Sequence, residues 1–123
     1  MPLFASFRET ITKKEMKGLF RTGWQMDYPY IENYLQPLYS TGAGSNDDDY
    51  SNKDFDAKLK AAAAAPTEEE AIALYQEAEA MLAEDMPVIP LWYPKTVSGH
   101  SNRISSAKFT VFGTIDLTSV VMK

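Results

Sequence analysis

The 123 residues include no cysteine, which excludes disulfides, thiolate zinc sites and cysteine nucleophiles. Histidine occurs once. His100 lies in the loop-like stretch Ser98-Gly99-His100-Ser101-Asn102 with no base or metal ligand near it in sequence, so it reads as a surface or hydrogen-bonding residue. The motifs G-x-S-x-G, H-E-x-x-H and G-x-x-x-x-G-K-[ST] are all missing, and with them the usual signatures of a serine hydrolase, a zinc protease and a phosphate-cradling loop. Clustered basic charge is also scarce. The formal net charge is -5, and the one lysine group, Lys13, Lys14 and Lys17, has Glu15 inside it. A nucleic-acid partner, whose affinity rests on Lys and Arg meeting phosphates, is therefore not expected. No apolar run reaches the roughly 20 residues of a helical membrane span. The opening MPLFASFRETITKK has no basic region ahead of an apolar core, so no targeting signal is read in it. Neither catalysis nor a cofactor nor a bound metal is expected.

What is present is an ordinary globular balance, 45% hydrophobic and 24% charged, in a length that suits one domain. Phe4, Phe7 and Ile11 recur at helical spacing over 3–16, and LFRTGW (19–24) reads as a short strand. Pro29 biases Tyr28 away from helix, which makes Asp27-Tyr28-Pro29 a turn. Residues 30–39 fit a helix carrying Ile31, Leu35 and Leu38, with Pro37 expected to end or kink it. The Gly-, Ser- and Asp-rich stretch 40–52 is a loop, and Ser51 or Asn52 can cap the helix that follows, with Phe55, Leu59 and Ala62 on one face. Pro66 interrupts; Thr67 and Glu70 then form an S/T-x-x-E capping box ahead of a stripe of Leu74, Tyr75, Ala78, Met81 and Leu82. From Met86 onward the period changes, and 88–94, 96–101, 107–112 and 116–122 are strand candidates. The plan is α+β: a helix, a strand, three helices, then a strand-rich segment over 86–123.

Two features invite chemistry. The run Asn46-Asp47-Asp48-Asp49 is acidic, but a calcium loop of the EF-hand kind needs glycine at its sixth position and glutamate at its twelfth. Here those positions hold Ser51 and Ala57, so the run reads as a solvated acidic loop. The stretch RTGWQMDYPYIENYL (21–35) is more suggestive. An ionised Asp27 in a turn suits a cationic amine, and Arg21 offers a planar fork to a carboxylate. Trp24, at the end of the expected strand, can face a cleft. Taken singly, each has a plainer reading: a core tryptophan, a helix-capping aspartate, a surface arginine.

Three segments in order, FRTGWQMDYPYIENYLQPLY, YSNKDFDAKL and ALYQEAEAMLAEDMPVIPLWYP, followed by FGTIDLTSV, closely resemble the C-terminal part of the extracellular oligopeptide- and dipeptide-binding proteins of ABC importers. The resemblance runs from about Phe7 to the end of the chain. It implies a C-terminal subdomain of a type II periplasmic-binding-protein fold, with helices packed on a small mixed sheet, in a much longer two-lobed parent that is lipid-anchored outside the membrane. It also implies residue roles. The aspartate of the GW-x-x-DY motif, here Asp27, pairs with the peptide α-ammonium, while Trp24 and Gly23 line a side-chain pocket. Arg21 meets the peptide carboxylate, and Trp92 and Tyr93 border the cleft. Pro94 departs from relatives that carry a further tyrosine, and Tyr30 stands where DYPDP relatives carry aspartate. The implied partners are short peptides and an ABC permease. Other solutes (nickel chelates, haem, oligosaccharides) or a free-standing interaction module are the alternatives, and self-association through exposed strand edges is expected of the isolated chain.

Overall fold

The computed structural model describes residues 3–123; Met1 and Pro2 lie outside the described residues. Four helices come first: α1 (Phe4–Thr12), α2 (Glu32–Tyr39), α3 (Lys53–Ala63) and α4 (Glu68–Asp85). An antiparallel pair follows, β1 (Ile104–Phe109) and β2 (Ile115–Met122).

The caps fix the two longest helices. Asn52 is the α3 cap, its side-chain oxygen accepting from the Asp54 and Phe55 N–H groups at 3.0 and 3.2 Å. Thr67 Oγ1 accepts from the Glu70 N–H at 3.2 Å, which forms the first half of the anticipated capping box. Acidic side chains Glu68, Glu69 and Glu70 fill the first turn of α4, where the helix dipole favours them. Leu35 of α2, Phe55, Leu59 and Ala62 of α3, and Ala71, Tyr75 and Ala78 of α4 close into one core. Small alanines at 62, 71 and 78 let α3 and α4 approach closely, and Phe55, fully buried, fills the space between them. Tyr30 and Tyr50 meet Tyr75 and Phe55 edge-on, at centroid separations of 5.7 and 5.5 Å.

Pro37 sits inside α2, and the helix runs on to Tyr39. Beyond the proline, the Ser40 N–H and hydroxyl both return to the Gln36 carbonyl and close the end, so the missing proline donor is confined to one position. The stripe expected of α1 holds only in part: Ile11 is buried, whereas Phe4 is exposed and touches only Phe7 among aromatic neighbours. Helix α1 is held by charge instead. Arg8 makes two bonds to the Asp47 carboxylate, at 2.7 and 3.2 Å. Lys14, in the left-handed region at φ 57°, reaches the Asn46 and Asp47 carbonyls and the Asp49 carboxylate, at 3.0, 3.2 and 2.8 Å. Buried Asn46 pins the same loop from inside, bonding the Ser40 carbonyl and both backbone groups of Tyr50. The acidic run is thus a loop whose counter-charges are supplied by α1.

The expected α+β class holds, but the sheet in it is antiparallel and not mixed. It has two strands, and among the described residues it makes no element-to-element contact with any helix. Ile104 lies opposite Met122 and Phe109 opposite Ile115, with register shifts between Ile104 and Ser106 and between Ser106 and Lys108. Residues 19–24, 88–94 and 96–101 are not strands. A strand is a pairing, and among the described residues 16–26 and 87–100 make no backbone–backbone hydrogen bond. Their β-branched and aromatic residues have no strand partner within the described chain.

Candidate functional site

The anticipated site residues fall on these two unpaired segments, save Asp27, which directly follows the first. Exposure alternates along the first: Trp24 and Met26 are half-buried, while Arg21, Gly23, Gln25 and Asp27 face solvent. Arg21 and Trp92, distant in sequence, come together, with the guanidinium carbon 5.0 Å from the centre of the indole ring. A guanidinium over an aromatic face is attracted by the ring's negative face. The Arg21 N–H groups make no hydrogen bond or ion pair among the described residues.

Asp27 does not cap α2. Its N–H donates to the Asn33 side-chain oxygen at 2.8 Å, and the α2 cap position, Ile31, carries no side-chain cap. Asn33 is buried, so this bond ties the turn to the helical body, and Asp27 itself is exposed. Among the described residues that carboxylate accepts no hydrogen bond and joins no ion pair. Next to it, Tyr28 donates its hydroxyl to Glu32, and that bond raises the Tyr28 pKa above its ordinary value. Asn33 and Gln25 were not singled out from the sequence. Their roles are side-chain-to-backbone bonds, which depend on where the chain folds back and leave no local pattern to read.

The remaining anticipated residues are spread out. The Trp24 ring nitrogen is buried without a partner, while Trp92 is 60% and Tyr93 99% exposed. Nothing in the described chain stands opposite Tyr93. Two surface depressions of about 380 Å³ each lie elsewhere: one is lined by Tyr28, Glu32 and Asn33 and continues to Thr41, the other lies between Lys14 and the acidic loop. Neither is lined by Arg21, Trp24 or Trp92. A pocket for a small ligand encloses most of its guest. Here the anticipated residues line neither depression. His100 is exposed, with Nδ1 3.1 Å from the Ser101 carbonyl, and among the described residues no group of three or more His, Cys, Asp or Glu could hold a metal. No described helix is long and apolar enough to cross a membrane.

No family model matches the chain. Individual relatives do. Di/tripeptide-binding protein 4 of Pseudomonas aeruginosa is 33% identical over 85 residues, which is 67% of this chain and 16% of the relative. Glutathione-binding protein GsiB of Salmonella choleraesuis is 33% identical over 91 residues, 71% of this chain and 18% of the relative. Heme-binding protein A of Haemophilus influenzae is 28% identical over 113 residues, 89% of this chain and 20% of the relative. The chain therefore spans less than about a fifth of the length of the first two. As a partial-length relative, it belongs with the solute-binding proteins of the peptide-binding class.

Proposed function

We propose that this sequence forms one wall of a peptide-binding cleft in a longer solute-binding protein that serves ABC-transporter uptake at the outer face of the membrane, anchored there by lipid. The observation that carries the reading is the Asp27 carboxylate, exposed and unpaired among the described residues, in the same segment as Arg21, whose guanidinium lies over Trp92. In this reading Asp27 takes the peptide α-ammonium and Arg21 takes a carboxylate through its free in-plane N–H groups. Gly23 and Trp24 border a side-chain pocket, and Trp92 and Tyr93 flank the peptide. Terminal charges and main-chain groups are shared by all peptides, so these contacts bind without selecting sequence. Binding is the whole activity in this reading; no bond is made or broken.

The open geometry makes a second prediction of the same reading. Alone, the face leaves Asp27 in water, where an ion pair contributes about 0–1 kcal/mol. The isolated chain should therefore bind short peptides weakly, and the longer protein tightly. Calorimetry on that longer protein tests the residue assignment. Asp27→Asn and N-acetylation of the peptide should each weaken binding by about tenfold or more, since each removes one charge of a shielded pair. Equal affinity for acetylated and free peptides would remove Asp27 from the site.

One observation favours a different solute: a relative is named a heme-binding protein. Under that reading exposed Trp92 and Tyr93 would stack on a flat macrocycle, and binding would not respond to Asp27→Asn.

A further inference from the structure

The hairpin of β1 and β2 has one hydrogen bond to the chain before Ser101 among the described residues: the Gln25 side-chain amide donates to the Phe112 carbonyl. Phe112 lies in the tip of the hairpin, where the Thr110 N–H meets the Thr114 carbonyl at 2.8 Å and the Gly113 N–H meets the Thr110 carbonyl at 3.0 Å. Gly113 has φ +74°, a left-handed conformation that favours glycine. A Cβ added there would lie 3.1 Å from Thr96 Oγ1 and 3.8 Å from Gln25 Nε2. Three separate segments, 21–27, 92–96 and 110–114, thus converge on one bond and one glycine. The converging segments are the ones that carry Arg21, Asp27 and Trp92.

We propose that Gln25 is a positioning residue. Its amide seats the hairpin tip against the exposed face of 21–27, and Gly113 permits the close seat against Thr96. The tip then stands against the segment that carries Arg21 and Asp27 and adds the exposed side chains of Val111 and Phe112 to it. Among the described residues the hairpin has no helix contact to hold it, so this latch sets its position. The functional meaning rests on the proposed peptide-binding reading; the latch itself does not.

The test uses the ligand-free chain, so it separates from any failure of peptide binding. Because the sequence has no cysteine, a nitroxide attached at Val111→Cys labels the tip alone. Magnetic resonance should show the amide signals of residues 22–27 broadened by the label. Gln25→Glu keeps the size and loses the donor, and should abolish the broadening while the α3 and α4 amide shifts stay in place. Gly113→Ala disturbs the seat from the other side and should give the same loss with Gln25 intact. Broadening that persists in both variants overturns the proposal, as does its absence in the unsubstituted labelled chain.

Discussion

Residues 30–85 and residues 86–123 draw on the same kinds of apolar side chain and use them in opposite ways. In the first region Leu35, Phe55, Leu59 and Tyr75 are buried against one another. In the second, Ile89, Leu91, Trp92, Tyr93, Val97 and Leu117 face solvent. The difference is geometric. A helix satisfies its own backbone and needs only one apolar stripe covered, so three neighbouring helices suffice for a core. An extended segment needs partners along both edges and at least one face. The second region is therefore the part of the described chain whose apolar side chains lack cover, and the first is the part that supplies its own. Asn33 and Gln25 link the two: one ties the Asp27 turn to the helices, the other ties the hairpin to the segment that bears Trp24.

The comparison breaks first at Phe55. Phe55→Ala should destabilise the helical body by about 3–5 kcal/mol, since it empties the space between α3 and α4. Circular dichroism should register the loss of helix, and the β1–β2 amide resonances should keep their positions. If the hairpin signals vanish along with the helices, the two regions form one cooperative unit and the contrast fails. Asn46→Ala comes next. It removes three bonds from inside the acidic loop and should cost about 1–3 kcal/mol in urea unfolding, again without touching the hairpin.

A smaller effect concerns pH. Burial, followed by the hydrogen bond to Asp85, pushes the Tyr50 pKa up from 10.0 to about 12. The unfolded chain ionises first, so stability should fall as pH rises from about 10 to about 12. That bond from the Tyr50 hydroxyl, and a second from the Asn52 amide, hold the Asp85 carboxyl below its ordinary value. That contribution is present above the ordinary carboxylate range and is lost as pH falls through the lowered folded value. Tyr50→Phe should flatten the melting profile at the alkaline end and blunt it at the acid end; an unchanged profile would contradict both assignments. The smallest effect is expected at Trp92. Trp92→Ala should change the stability of the ligand-free chain by no more than about 0.5 kcal/mol, because the ring is mostly exposed. A larger loss of thermal stability would mean that the segment bearing Trp92 packs against the helical body after all.

The legibility of the sequence follows the same division. Elements governed by local rules were readable: the Asn52 cap, the Pro66 break, the Thr67 start of α4 and the Phe55–Leu59–Ala62 stripe all stand where periodicity and capping put them. Pro37 was misleading, because a proline donor lost near the end of a short helix leaves few bonds to break. The strands expected at 19–24, 88–94 and 96–101 could not be settled from composition, since β-branched and aromatic residues describe a willingness to pair and not a partner. For the candidate site, residue types suggested Asp27, Arg21 and Trp24, and Trp92 came only from the family resemblance; that Arg21 lies over Trp92 is visible only in the folded chain. Asn33, Asn46 and Gln25 went unread because a buried or bridging amide has no periodic signature.

Lys14 carries a consequence for the acidic loop. Its ammonium sits among two main-chain oxygens and one carboxylate, a coordination that a loose cation from solution could also adopt. A cation on a covalent tether cannot be diluted away or drawn off by a chelator. The shape of residues 46–49 is thus set by the length and turn of α1, and a change to that helix would be felt as an ionic change in the loop.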